Sequence, residues 1–196
     1  MKKIIALSIC SISLFPIHAN ATELFVGMEQ SHKKTNNKTY VNNKMDKHNK
    51  SLNISSLKLG LFNGDKQTGD RYEFIYNFGD EDIVSGLDLV DVAIQYNYTL
   101  PSLLNSELYL PYLRLGASYS RVAEKNPKSQ KKTKYDAYGY ILGLGTYYSL
   151  NKNLEFSLGF DYGYKKWNDI TLYQGTVNVF AKEKIQKSYI GLNYLF

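Results

Sequence analysis

Side chains of the types used in acyl transfer occur in two polar segments of this chain: Ser31, His32, Asp80, Asp82 and Ser85. A serine nucleophile, a histidine base and a carboxylate that orients the base perform that chemistry when they converge. Ser31 and His32 are neighbours, and His48 is the other histidine of the same segment. Because serine and aspartate are common in any polar segment, we predict no catalytic residue from this set.

Other site chemistries have little support in the residues. The spacings of His, Cys, Asp and Glu match no metal-binding or phosphate-binding motif, and Cys10 is the single cysteine. No module of interleaved aromatic and basic residues for nucleic-acid recognition is visible. We therefore predict no metal site, no cofactor and no nucleic-acid partner.

Lysine is concentrated in two polar segments. Residues 31–50 carry six Lys and one Asp, and residues 123–134 carry five Lys and one Glu. Such segments attract phosphates, anionic glycans or other anionic molecules of a cell surface, although solvated, variable loops have the same composition. The candidates for binding at the surface are Lys33, Lys34, Lys38, Lys131, Lys132 and Lys134.

The first residues have the form of a secretory signal peptide. A basic start (MKK) precedes a mostly apolar stretch through Pro16, and an A-x-A cleavage site ends at Ala21. The apolar stretch is too short for a membrane-spanning helix. A lipoprotein signal using Cys10 is the alternative, but bulky Ile9 precedes that cysteine. We predict a signal peptide at 1–21 and one domain at 22–196.

Eight segments of the remaining chain alternate apolar and polar residues with the period of two that is typical of strands. In chain order they are ELFVGMEQ, SSLKLGLF, RYEFIYNF, LVDVAIQYNYTL, LPYLRLGASYS, AYGYILGLGTYY, LEFSLGFDYGY and SYIGLNYLF. Polar connections alternate in length, with the longer ones at 31–50, 79–87, 122–135 and 165–187. This alternation predicts an up-and-down meander. A slip in alternation between Val179 and Ile190 predicts a bulge in the last strand.

Polarity decides which face of the sheet is buried. One face carries large apolar and aromatic residues, whereas the other mixes glycine with charged residues. The narrow interior of eight strands suits small and interlocking polar side chains, so we expect the apolar face to point into lipid. An open sheet edge in hydrocarbon would leave backbone groups unsatisfied. The predicted fold is all-β: a closed, antiparallel, up-and-down eight-stranded transmembrane β-barrel.

Because every second residue of each predicted strand faces the lumen, charged side chains of both signs point into it. The predicted lumenal polar network consists of Glu23, Glu29, Lys58, Arg71, Glu73, Asp91, Arg114, Glu155 and Asp161. Salt bridges that fill the lumen are the favoured interpretation, because an eight-stranded interior is only wide enough for side chains. An ion path through a narrow channel is the alternative.

A signal peptide, eight amphipathic strands, long outer loops and the ending IGLNYLF together resemble the small outer-membrane β-barrels of Gram-negative bacteria. These are the OmpX, opacity-protein and OmpA-transmembrane-domain type. The resemblance implies periplasmic termini, contact with outer-membrane lipid and lipopolysaccharide, and recognition of the last strand by the barrel-assembly machinery. By this resemblance, the assembly signal comprises Ile190, Leu192, Tyr194 and Phe196.

The resemblance also sets the functional expectation. Such a barrel contributes to envelope integrity and presents loops for adhesion or for binding anionic molecules of host or cell surfaces, and it is no wide diffusion pore. Two alternatives stay open at this point. One is a lipid A-modifying enzyme of the acyltransferase or deacylase kind, and the other is a narrow ion channel.

Overall fold

The segments that alternate apolar and polar residues form long strands in the part of the chain that the structure describes. The computed structural model describes residues 22–41, 44–63, 69–78, 88–100, 108–125, 132–168, 170–172 and 177–196. The predicted signal peptide and its cleavage site lie outside these residues. The strands are β1 (Thr22–Val41), β2 (Lys44–Asn63), β3 (Asp70–Phe78), β4 (Asp88–Thr99), β5 (Tyr109–Lys125), β6 (Lys132–Ser149), β7 (Leu154–Trp167), β8 (Ile170–Leu172) and β9 (Val177–Leu195).

The strands close into a barrel of the predicted topology. Each strand from β1 to β7 pairs antiparallel with the next, and β9 pairs with both β7 and β1. The three-residue β8 pairs with β9 beyond the end of β7, so β7 and β8 together form the seventh strand of an eight-stranded barrel. Leu195 opposite Phe25 closes the sheet. The predicted closed antiparallel fold is confirmed.

We call the end that carries Thr22 and Phe196 the terminal rim and the opposite end the outer rim. At the outer rim the strands are longer than the sequence pattern predicts. Much of the segments 31–50, 122–135 and 165–187, expected as polar connections, is strand, and β1 and β2 each have 20 residues. The reason is that beyond the apolar belt both faces of the strands carry polar residues, so the sequence there shows no alternation between apolar and polar residues. Within the last segment the sequence also predicts a hairpin that extends strands seven and eight, and β8 pairs with β9 there.

The bulge predicted in the last strand is wrong. β9 pairs with β1 in unbroken register from Leu195 to Val179. The register instead shifts on the other side of β9, where Lys166 pairs with Lys182 but Ile170 pairs with Val179. The irregularity therefore belongs to the junction of β7 and β8.

The outward face is apolar and the inward face is packed, as predicted. Met28 and Leu144 on the outside have exposed fractions of 62% and 61%, whereas Phe25 and Ile75 on the inside are at 0%. Glycine makes room for the large inward side chains: a Cβ at Gly60 would overlap the Phe25 ring. Among the described residues there is no helix of sufficient length and apolarity to cross a membrane.

Candidate functional site

The lumen collects buried charged side chains from β1 to β5, β7 and β9. Of the predicted set, eight residues are buried: Glu29, Lys58, Arg71, Glu73, Asp91, Arg114, Glu155 and Asp161. Glu23 is half-buried at the terminal end of β1 and lies apart from the others. Since inward positions recur at every second residue of each strand, side chains distant in sequence meet at the barrel axis.

Arg71 and Glu155 form the layer nearest the terminal rim. Two nitrogens of the Arg71 guanidinium donate to the two Glu155 oxygens at 2.6 and 2.8 Å, which is the bidentate geometry of strong charged pairs. Asn193 donates to the same carboxylate at 2.9 Å. The Arg71 guanidinium also lies 3.7 Å from the centroid of the Tyr147 ring, so this layer is closed by both charge and an aromatic surface.

Arg114 is the centre of the next layer. Its guanidinium lies 3.2 Å from the carboxylates of both Glu73 and Asp161, and its Nε donates to Asn97 Oδ1 at 2.9 Å. The hydroxyl of Tyr147 donates to Glu73 at 3.2 Å. Arg114 on β5 therefore connects to β3, β4 and β7 directly, and Tyr147 adds β6 through Glu73.

Lys187 carries the network across to the strands that close the barrel. Its Nζ lies 3.2 Å from Asp161 on β7 and 2.8 Å from Glu29 on β1. Lys58 on β2 lies 3.7 Å from the other Glu29 oxygen and donates to Ser157 at 3.2 Å. The network therefore continues around the whole circumference.

The layer nearest the outer rim contains pairs that sequence reasoning did not assemble. Lys165 Nζ lies 2.8 Å from Asp91 and donates to Ser120 Oγ at 2.8 Å. Lys33 lies 3.4 Å from Glu183, and both side chains are buried. The prediction of Lys33 as a surface-binding loop residue is therefore wrong, because β1 extends past it and its side chain points inward.

The described part of the lumen is electrically balanced. Its buried cations are Lys33, Lys58, Arg71, Arg114, Lys165 and Lys187, and its buried anions are Glu29, Glu73, Asp91, Glu155, Asp161 and Glu183. Sequence reasoning missed Lys33, Lys165, Glu183 and Lys187, since they fall in the segments interpreted as loops. Continuing the strand parity into those segments would have found them.

Neutral side chains fill the space between the charges. The Tyr112 and Tyr189 hydroxyls lie 2.5 Å apart, and the Tyr112 and Tyr147 rings stack with centroids at 4.2 Å. Between the Arg114 layer and the outer layer lies a cavity of about 40 Å³, bordered in part by Gln95 and Ser118. That volume accommodates only one or a few water molecules.

Ser31 and His32 do not converge. Ser31 points into the lumen and donates to the backbone oxygen of Ile54 at 3.2 Å, whereas His32 points outward and contacts Asn53 at 2.9 Å. Adjacent residues of a strand face opposite sides of the sheet, so these two cannot act on each other as nucleophile and base. Asp80, Asp82 and Ser85 lie outside the described residues.

The other surface candidates have different environments. Lys34 is exposed on the outward face of β1, Lys38 shares that face and is half-exposed, and Lys134 is exposed on β6. Lys132 lies in β6, but its side chain is outside the described residues, as is the whole of Lys131.

The terminal strand presents its alternate residues outward. The exposed fractions are 53% for Ile190, 41% for Leu192, 47% for Tyr194 and 63% for Phe196. The Phe196 amide donates to the Leu24 oxygen at 2.9 Å, so the last residue is tied to the first strand. Whether assembly machinery reads these residues stays a prediction.

Comparison with known proteins identifies the fold. No family model matches the chain, and no curated protein matches it. Among solved structures, Neisserial surface protein A is similar with a TM-score of 0.58 at 12% identity, over 90% of this chain and 100% of that one.

Two further structures have TM-scores under 0.5, so neither adds to the assignment of the fold. The N-terminal β-barrel domain of Pseudomonas aeruginosa OprF has a TM-score of 0.46 at 10% identity, over 86% of this chain and 97% of that domain. Ail of Yersinia pestis, solved with a heparin analogue, has a TM-score of 0.43 at 15% identity, over 89% of this chain and 99% of Ail. The chain has the fold of the small outer-membrane barrels, and its apolar outward belt places it in the bacterial outer membrane.

Proposed function

We propose that this outer-membrane barrel is sealed, and that its role is structural and surface-interactive rather than that of a pore. The observation that carries the proposal is the buried network of six cations and six anions. Opposite charges held at hydrogen-bond distance leave neither a continuous water path nor an excess charge that would select ions. The interior thus stabilises the barrel, and the outer rim makes the interactions with other molecules.

Conductance of the purified, refolded protein in planar lipid bilayers tests the sealed lumen. We expect no current steps above those of the empty bilayer. The matched variant is R71A/E155A, which removes both partners of the terminal layer and so leaves no unpaired charge from that pair. This variant should also stay at background, since the Arg114 layer above it still closes the lumen. Steady single-channel currents from the unaltered protein would refute the proposal.

The extended hairpins are the surface-interactive part of the proposal. β1 and β2 pair out to Val41 and Lys44, far beyond the apolar belt of the same strands, which ends at Met28 and Leu57. A hairpin that is held by continuous backbone pairing presents its side chains at fixed positions, which favours a binding surface over a solvated loop. Binding of anionic surface molecules, including lipopolysaccharide, is the interaction that its lysines favour.

The enzyme alternative has less support than the structural role. Within the described residues, Ser31 and His32 face opposite sides of the wall. Mass spectrometry of lipid A from a strain lacking the protein tests the alternative directly. We expect an unchanged pattern of acyl chains, whereas the loss or gain of one acyl chain would favour a lipid A-modifying enzyme.

A further inference from the structure

Four lysines lie directly opposite one another across four adjacent strands near the outer rim. Lys166 on β7 pairs with Lys182 on β9, Lys182 pairs with Lys38 on β1, and Lys38 pairs with Lys47 on β2. Paired residues of neighbouring strands point to the same side of the sheet. All four have the outward parity of their strands, so they form one row on the outside of the barrel.

Two further lysines lie below this row on the same face. In the next row toward the membrane, Lys184 lies between Tyr164 and Asn36. One row lower, Lys34 lies opposite Gln186. We call this set the lysine patch: Lys34, Lys38, Lys47, Lys166, Lys182 and Lys184.

The lysine patch has no acidic neighbour on its own face. Among the described residues, the outward positions of β1, β2, β7 and β9 contain neither Asp nor Glu. The nearby Glu183 has the opposite parity and is occupied inside the lumen by Lys33. Like charges directly opposite in a sheet are destabilising, so the row makes no contribution to the fold that would explain it. A bound anion would turn this repulsion into attraction.

The height of the lysine patch matches the level of lipid headgroups. The first outward apolar residues from the terminal rim are Leu24 on β1 and Leu154 on β7, and we take them as the terminal boundary of the hydrocarbon. Lys34 and Tyr164 each lie ten positions farther along their strands. A tilted strand crosses the hydrocarbon in about 9–11 residues, so the patch begins where the hydrocarbon ends.

We propose that the lysine patch binds the phosphate groups of outer-leaflet lipid headgroups, of the phosphorylated lipid A class. The patch lies on the outside of the barrel wall just beyond the hydrocarbon, which favours the headgroup of a membrane lipid over a soluble anion. The proposal specifies the ligand for the surface-anion binding proposed above and rests on it, but it is independent of the sealed lumen.

Binding of bisphosphorylated lipid A to the full-length mature protein in zwitterionic detergent tests the proposal. The central variant is K38Q/K182Q, which neutralises two lysines that face each other. We expect its affinity to fall about tenfold or more, and the affinity of the unaltered protein to fall with added salt. K38R/K182R retains both charges and should bind as the unaltered protein does.

The matched control is K125Q/K152Q, which removes two positive charges away from the patch and should change the affinity less than about twofold. Equal losses in K38Q/K182Q and K125Q/K152Q would overturn the proposal, because they would show general charge attraction. Equal binding of dephosphorylated lipid A, or full competition by inorganic phosphate at equal concentration, would also overturn it. Conductance measured on K38Q/K182Q should stay at background, so a leaking barrel and a failed lipid site are distinguishable.

Discussion

Strands β7 and β1 both cross the membrane, but their outward faces differ in apolar height. From the terminal rim upward, β7 presents Leu154, Phe156, Leu158, Phe160, Tyr162 and Tyr164. Over the same distance β1 presents Leu24, Val26, Met28, Gln30, His32 and Lys34. We call the β5–β7 side the tall wall and the side formed by β9, β1 and β2 the short wall.

The difference shows how a polar surface is accommodated in the upper membrane. On the short wall, Ser55 donates to Gln30 at 2.7 Å and His32 contacts Asn53 at 2.9 Å, so these outward polar groups have partners across the β1–β2 ladder. The free-energy cost of moving a polar side chain out of water is smaller when the side chain is hydrogen-bonded to a partner. The short wall therefore thins the apolar belt on one side of the barrel, and the lysine patch lies directly above the thinned part.

The largest expected effect concerns the interior that connects the two walls. Arg114→Ala leaves the Glu73 carboxylate without its buried cation and leaves Asp161 with Lys187 alone, so we expect the free energy of unfolding to fall by about 3–5 kcal/mol. Urea unfolding of the protein in lipid vesicles measures this change. A loss below that of an exposed ion pair would contradict the idea that the walls are joined through Arg114.

The same strand offers the matched control. Arg121 donates to Asp136 at 2.7 Å near the outer rim, and this hydrogen bond lowers the pKa of Asp136. The side chain of Arg121 is 42% exposed. Arg121→Ala should therefore cost only about 0–1 kcal/mol.

A second prediction compares the walls at equal depth. Leu142 on β6 and Gln30 on β1 each lie six positions from the outward residue of the terminal rim, which is Tyr148 and Leu24 respectively. Leu142→Arg should reduce the free energy of unfolding by about 2–4 kcal/mol, as expected for the middle of an apolar belt, and Gln30→Arg by about 1 kcal/mol or less.

Urea unfolding in vesicles of one lipid composition measures both variants. Similar costs at the two positions would mean that the apolar belt has one height all round, and the distinction between tall and short walls would be abandoned. A larger cost for Gln30→Arg would reverse it.

The smallest effect on stability is expected at the end of the chain. Phe196→Ala removes a ring that meets the Tyr194 ring edge-on at 5.1 Å, a contact worth about 0.5–1.5 kcal/mol. If Phe196 belongs to an assembly signal, the amount of protein in the outer membrane should fall more than this small loss explains. Phe160→Ala, at an exposed ring on the tall wall, is the control. Equal outer-membrane levels of the two variants would count against a signal at Phe196.

The sequence by itself determined the fold. A strand in a membrane must alternate lipid-facing and lumen-facing residues, and its sheet must close so that no backbone edge stays unpaired. The sequence also determined which residues of the spanning segments face inward, such as Arg71 and Arg114. Those inferences need only local alternation and the polarity of lipid.

Only the tertiary structure decided the partners and the surface patterns. The outer hairpins carry polar residues on both faces, so their polarity did not reveal that β1 continues past Lys33 and that its parity directs this side chain inward. Register between strands distant in sequence decided that Lys38 lies opposite Lys182 and that Lys187 joins Glu29 to Asp161. Alternation fixes the side of the sheet on which a residue lies, whereas pairing between strands fixes its neighbours.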